Sequence, residues 1–268
     1  MLTTEQVNFF NTFGYIVVRN SFSISEVTAI SNTFDEVFSN HICVTCQGSP
    51  FGGDKRHYIV GFMESRPLFV DMAKDDRIYE PLSQLLDSGF IWVASDGNLY
   101  SGDTAWHSDK RTDPGYKQIK VAMYLDPVTP DTGCLRVIPG SHEQPFNDIL
   151  RNQLLSNEGQ TPIDQRPLES FGLSGVDIPC ANLISNPGDV VFFRQEILHA
   201  SFGGRTGRRM FATGVFDRPK TEAQIKMVKN LYLHHRKQAD ESDISAFFNS
   251  EEPRLREMNA GLKALGVE

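Results

Sequence analysis

Cysteine is scarce: the 268 residues hold four, too few for the disulfide framework that staples small secreted domains. Cys43 and Cys46 have the two-residue spacing of redox and zinc motifs. No second pair joins them, because Cys134 and Cys180 stand alone, and no thioredoxin-like strand–helix context surrounds them, so they read as ordinary thiols. No run approaches the roughly eighteen consecutive apolar residues of a membrane span. The first residues, Met1 to Asn11, lack a basic stretch followed by an apolar one, so no secretory signal is visible and the expectation is a cytoplasmic protein with no membrane partner. Clustered positive charge is also missing. With Lys+Arg 26 against Asp+Glu 34 the net charge is -8, which argues against nucleic acid as a partner, since phosphate neutralisation needs grouped Lys and Arg. The glycine-rich stretch Gln47–Lys55 is no P-loop either, because no Gly-Lys-Ser/Thr follows it. It reads as a loop, with a position over an active site as the functional alternative.

What is present is ample length for a substantial core and two kinds of periodicity. Thr3–Phe13 places Val7, Phe10 and Phe13 on one side of a helix that Gly14 stops, and Tyr15–Val18 has strand character. Ser25–Phe38 carries a helical stripe of Val27, Ile30, Phe34, Val37 and Phe38, and Arg66–Leu86 reads as a third helix starting at Pro67. After Ser88-Gly89 the character changes. Short strands are expected at Phe90–Ala94, Lys120–Leu125, Cys134–Ile138, Gly175–Pro179, Val190–Arg194, Ile197–Phe202 and Arg208–Phe216, punctuated by turn residues such as Asn186-Pro187-Gly188-Asp189. From Thr221 the chain returns to helix, where His234 and His235 read as solvated. The expected fold is mainly β with flanking helices, its core an antiparallel jelly roll. The expectation is a single domain over 1–268, with a helical N-terminal layer holding one or more strands (1–88) and a jelly-roll core (89–218). A helix is inserted near 143–155, and C-terminal helices follow (219–268).

The candidate chemistry lies at Trp106-His107-Ser108-Asp109. In an extended segment alternate side chains share a face, so His107 and Asp109 point the same way. A third ligand is needed from elsewhere, and His199 is the candidate. Two imidazoles and a carboxylate with open positions describe the facial triad of non-haem Fe(II) oxygenases. His142 is the rival ligand, but it follows the turn Pro139-Gly140-Ser141.

The ordered series Trp106–Asp109, Gly133–His142 and Pro187–Phe193 leading into Leu198–Ser201 resembles the phytanoyl-CoA dioxygenase superfamily. The resemblance runs from about Phe90 to Phe216. It implies a double-stranded β-helix, Fe(II), and 2-oxoglutarate and O2 as co-substrates. Residue by residue it assigns His107, Asp109 and His199 to the metal. A cation must meet the far carboxylate of 2-oxoglutarate, a task that suits the planar fork of arginine. Arg205, Arg208 and Arg209 compete, and the motif Gly207-Arg208-Arg209 favours Arg209, with Arg208 turned to the opposite face. Ser201 and Asn98 join as co-substrate contacts. Because Asp109 keeps the carboxylate that family halogenases lack, the implied reaction is hydroxylation of an unactivated C–H bond of a small molecule; desaturation, epoxidation and ring closure share the same chemistry.

The expected substrate is a small anionic or zwitterionic compound, because Lys55 and Arg56 follow the glycine loop and Lys110 and Arg111 follow the motif. Solvated charge runs are the plainer reading of both pairs. Trp106 either lines the pocket or packs in the barrel. Two other functions compete: an oxygenase using the same triad without 2-oxoglutarate, and a non-catalytic jelly-roll binding module, which loss of a ligand would favour.

Overall fold

The structure is a computed structural model that describes residues 1–40, 44–46, 56–86, 89–109, 115–154, 173–204, 207–239 and 241–266. Helix α1 (Thr4–Phe13) opens on a capping box between Thr3 and Gln6 and closes on Gly14, whose φ of 81 suits a residue without Cβ. That turn passes the chain directly into β1 (Tyr15–Val18). Helix α2 (Ile24–Asn40) buries Ile30, Phe34 and Val37. The helix expected over Arg66–Leu86 is two: α3 (Pro67–Ala73) and α4 (Asp76–Leu85). Asp75 divides them, because its side chain accepts from the Arg77 N–H and starts the second helix afresh.

Two antiparallel sheets form the body. Their strands are β2 (Val44–Cys46), β3 (Arg56–Val60), β4 (Phe90–Tyr100), β5 (Thr104–His107), β6 (Gln118–Tyr124), β7 (Leu135–Val137), β8 (Ala181–Leu183), β9 (Val190–Arg194), β10 (His199–Ser201) and β11 (Arg208–Asp217), together with β1. The larger sheet runs β1-β9-β6-β11-β4-β3-β2 and the smaller β5-β10-β7-β8. This is the jelly-roll arrangement expected from the strand spacing. Strands β1, β2 and β3 come from the first 88 residues and complete both edges of the large sheet. The strand expected at Gly175–Pro179 is instead a 3-10 turn over Gly175–Asp177, and β7 pairs with β8. The inserted helix is α5 (Phe146–Leu154), and the chain ends in α6 (Glu222–Arg236), α7 (Glu241–Phe248) and α8 (Pro253–Ala264).

Strand alternation divides the apolar residues between two cores. Val121, Met123, Phe192 and Phe211 pack outward against Ile30, Phe34, Phe69 and Leu82 of the helices. Their sequence neighbours Ala122, Tyr124, Val191, Phe193 and Ala212 face the small sheet, where Leu135 and Val137 meet them. Each large side chain removed from water contributes about 1.5–3 kcal/mol, so the phenylalanine-rich helical layer fixes the large sheet. The inter-sheet layer carries smaller residues and leaves room at one end. The candidate site occupies that end.

Candidate active site

His107 closes β5 and His199 opens β10, and the two are direct partners in the antiparallel ladder. Their rings lie 4.1 Å apart between centroids. Asp109 follows β5, and its backbone N–H donates to the Gln195 carbonyl at 2.9 Å, which folds the carboxylate back toward the imidazoles. The Nε2 atoms of His107 and His199 stand 3.7 and 3.9 Å from the Asp109 oxygens, and one ligand atom from each residue falls within 4.8 Å of the others. Among the described residues this is the group of His, Cys, Asp and Glu with metal-holding geometry.

The ring nitrogens are sorted by backbone contacts. His107 Nδ1 meets the Ala105 carbonyl at 2.8 Å and His199 Nδ1 meets the Ile197 carbonyl at 2.9 Å. A carbonyl only accepts, so each Nδ1 carries the proton and each Nε2 presents its lone pair to the shared centre. Burial, reinforced by His107, pushes His199 down to about 3. Burial also lowers His107, against the pull of Asp109. For Asp109 burial alone would raise the carboxyl, but Lys120, His199 and His107 outweigh it and hold the group well below the usual carboxylate range. Lys120 Nζ donates to Asp109 Oδ2 at 2.8 Å. Two neutral imidazoles and an ionised carboxylate, each aimed at one point, fit a divalent first-row cation.

A cavity of about 310 Å³ opens beside the triad. On β11 the even-numbered residues face it, and Arg208, Met210 and Ala212 are on its wall. This corrects the expectation for the arginine pair. Arg209 points to the other side of the sheet, where it donates to Asp126 and Asp35 at 2.8 and 2.9 Å. Arg208 is the buried one, with its guanidinium 4.9 Å from the Tyr100 ring. Its Nε and Nη1 find no hydrogen-bond acceptor among the described residues. Gly133 makes room for it: with φ at +85, a Cβ there would lie 1.6 Å from Arg208 Nη1.

Ser201 lines the same cavity, with its hydroxyl donating to the Gly133 carbonyl at 3.0 Å. Asn98 is on the wall as well, bonded to Arg56 and, at 2.7 Å, to Asp96. Arg56 reaches the site and pairs with Asp96. Trp106 does not line the cavity. Alternation turns it away from His107, and its indole N–H donates to the Gly175 carbonyl at 2.7 Å within the cluster around Leu198 and Phe202. Lys55, Lys110, Arg111, Arg205 and Cys43 lie outside the described residues, as does the Cys46 side chain. His142 packs against Gly14 and the Asn11 carbonyl, away from the triad. Sequence reasoning missed Lys120 and Gln195. The signal for Lys120 was a lone cation inside an otherwise apolar strand, Ile119–Tyr124.

Comparison with known proteins agrees with this geometry. The ectoine dioxygenase of Sphingopyxis alaskensis is 25% identical over 226 residues, covering 76% of this chain and 72% of that protein. The epimerase SnoN from nogalamycin biosynthesis, solved with Fe3+, alpha ketoglutarate and nogalamycin RO, superposes with a TM-score of 0.62 at 18% identity, over 80% of this chain and 83% of its own. HygX from Streptomyces hygroscopicus, solved with nickel, 2-oxoglutarate and hygromycin B, superposes at 0.59 and 18% identity, over 82% and 90%. These structural likenesses establish the shared jelly-roll fold. The pattern that defines the phytanoyl-CoA dioxygenase (PhyH) family matches residues 10–211, a span that contains both sheets' core strands, the three candidate ligands and Arg208. On that match the chain belongs to the phytanoyl-CoA dioxygenase family.

Proposed function

We propose that the protein is an Fe(II)- and 2-oxoglutarate-dependent dioxygenase that hydroxylates an unactivated C–H bond of a small molecule. The observation that carries this reading is the pairing of a preformed His-Asp-His cluster with a buried guanidinium in the same cavity. A buried cation without a matching anion costs on the order of several kcal/mol. A dicarboxylate reaching from the metal to Arg208 would remove that cost. The relatives' ligands named above are of this kind, and the family membership supports the same cofactor set.

In this reading His107, Asp109 and His199 hold Fe(II) through Nε2, a carboxylate oxygen and Nε2. Arg208 takes the far carboxylate of 2-oxoglutarate through Nε and Nη1, with Ser201 beside it. When bound, iron and 2-oxoglutarate supply the oxidising power, with succinate and CO2 as the by-products. The chain's own contribution is positional. The Nδ1 contacts keep both imidazoles in the ligating tautomer, and Lys120 keeps Asp109 ionised and aimed.

The test is an anaerobic titration of Fe(II) and then 2-oxoglutarate into metal-free protein. The expected result is one iron and one 2-oxoglutarate per chain with a visible charge-transfer band, followed by succinate release on exposure to O2. Protein that binds iron but develops neither the band nor succinate would refute the assignment.

A further inference from the structure

A second cavity, of about 250 Å³, meets the first at Asp109. The two share Arg56, Asp96, Asp109 and Lys120 as a common wall. On β11 the same alternation that sends Arg208, Met210 and Ala212 to the first cavity sends Gly214 and Phe216 to the second. Its far side is built by α6 and the turn after it, through His234, His235 and Gln238. Helix α6 is held there by Val228 and Tyr232, buried against Ile91, Val93 and Phe216. It also lies beyond residue 211, where the family pattern ends.

We infer that this second cavity is the primary-substrate subsite, and that α6 with Gln238 selects a compact polar molecule without net charge, bearing hydroxyl groups. The inference rests on the dioxygenase reading for the position of the metal, and on the following observations for the class of substrate. Both cations on the shared wall are already matched by carboxylates, Arg56 by Asp96 and Lys120 by Asp109. Among the described lining residues no further Lys or Arg remains to receive a phosphate or a coenzyme A tail. Tyr58, Gln195 and Gln238 add phenol and amide hydrogen-bonding groups. Tyr58 donates to Gln238 Oε1 at 3.1 Å, and Gln238 Nε2 contacts His234 Nε2 at 2.8 Å, so a relay crosses the rim from β3 to α6. Among the described residues the buried Gln195 side chain makes one long contact, 3.5 Å to the Ile119 carbonyl, and keeps hydrogen-bonding capacity for a ligand. Gly214 leaves it space, since a Cβ there would come within 3.1 Å of Gln195 Nε2. Phe216 supplies an apolar floor for the carbon skeleton. A site built to hydrogen-bond hydroxyls rejects a hydrocarbon chain strongly, because its own polar groups would be left unpaired.

The test uses metal-free full-length protein and saturation-transfer NMR, so it is independent of turnover. The probes are sorbitol, glucose and myo-inositol, against octanoate and octanoyl-CoA. The expected result is binding of at least one polar probe in preference to both acyl compounds. The double substitution of His234→Ala with Gln238→Ala weakens that binding at least ten-fold, and the control Lys237→Ala, exposed on the same turn, leaves it unchanged. Preference for the acyl compounds, no binding of any polar probe, or equal binding by the double variant would each overturn the inference. Wild-type titration with Fe(II) and 2-oxoglutarate decides the dioxygenase reading separately, because neither ligand enters this measurement.

Discussion

Arg208 and Arg209 are adjacent on one strand, and the two-residue period of β structure separates a buried cation from a surface one. Their substitutions therefore have opposite signatures. Arg208→Ala would remove the two charge-assisted hydrogen bonds proposed to 2-oxoglutarate, worth about 1.5–3 kcal/mol each, and is expected to weaken 2-oxoglutarate binding by about a hundred-fold or more, read in the anaerobic titration. Arg209→Ala breaks half-exposed pairs to Asp126 and Asp35, a loss of at most about 1 kcal/mol in stability, and is expected to leave 2-oxoglutarate affinity unchanged. Equal effects of the two variants would remove Arg208 from the role. Gly133 offers an independent check. Gly133→Ala places a methyl where the Arg208 guanidinium sits and strains a φ of +85, so the expected outcome is a 2-oxoglutarate Kd raised more than ten-fold with Fe(II) binding retained.

At the scale of elements, Glu64 ties the turn after β3 to β4. It accepts from the Trp92 indole N–H at 2.7 Å and from Ser95, and it is buried. Burial raises its pKa, only partly offset by those two donors. A carboxyl raised in the folded state contributes stability that is fully present below the ordinary carboxylate range and is lost as pH rises through the folded value. Urea midpoints taken between about pH 5 and pH 8 should therefore fall more steeply for the wild type than for Glu64→Gln, whose amide keeps the acceptor for Trp92 without a charge to bury. Parallel profiles would show that Glu64 is not the titrating group. The elements themselves were largely legible. Strand-forming runs bounded by turn residues marked β6, β9 and β11, and the stripe of Ile30, Phe34 and Val37 marked α2. Three kinds of feature escaped. Strands β5 (Thr-Ala-Trp-His) and β8 (Ala-Asn-Leu) mix polar with apolar residues and lie outside the apolar runs that marked β7 and β10, which are as short. The break at Asp75 is a local cap that an apolar count does not see. The register of β11 was hidden because spacing counted from His199 crosses a loop, and loops absorb insertions without shifting the strand that follows. The pairing of Arg208 with Tyr100 and of Met210 with Asn98 fixes it: Asn98 and Arg208 share a face, so Asn98 and Arg209 could not both have met one ligand.

At the scale of the molecule, the triad spans the seam between the two sheets. His107 and His199 are neighbours in the small sheet. Asp109 is held from the large-sheet side, by Lys120 on β6 and by the carbonyl of Gln195 just after β9. Opening the seam would part the carboxylate from the imidazoles, so a metal bound by all three opposes that opening and stabilises the whole fold by mass action. At a free metal concentration of about one hundred Kd the gain is about 2.7 kcal/mol. For a domain of this size each kcal/mol moves the melting temperature by about 2–4 °C, so anaerobic Fe(II), or Ni(II) as a redox-inert substitute, is expected to raise Tm by about 5–10 °C. His199→Ala removes one vertex while leaving the sheet hydrogen bonds of β10 in place, and is expected to abolish most of that rise while the metal-free Tm falls only modestly. If the variant keeps the full metal-induced shift, the ion is bound elsewhere, and the seam is held by the sheets alone.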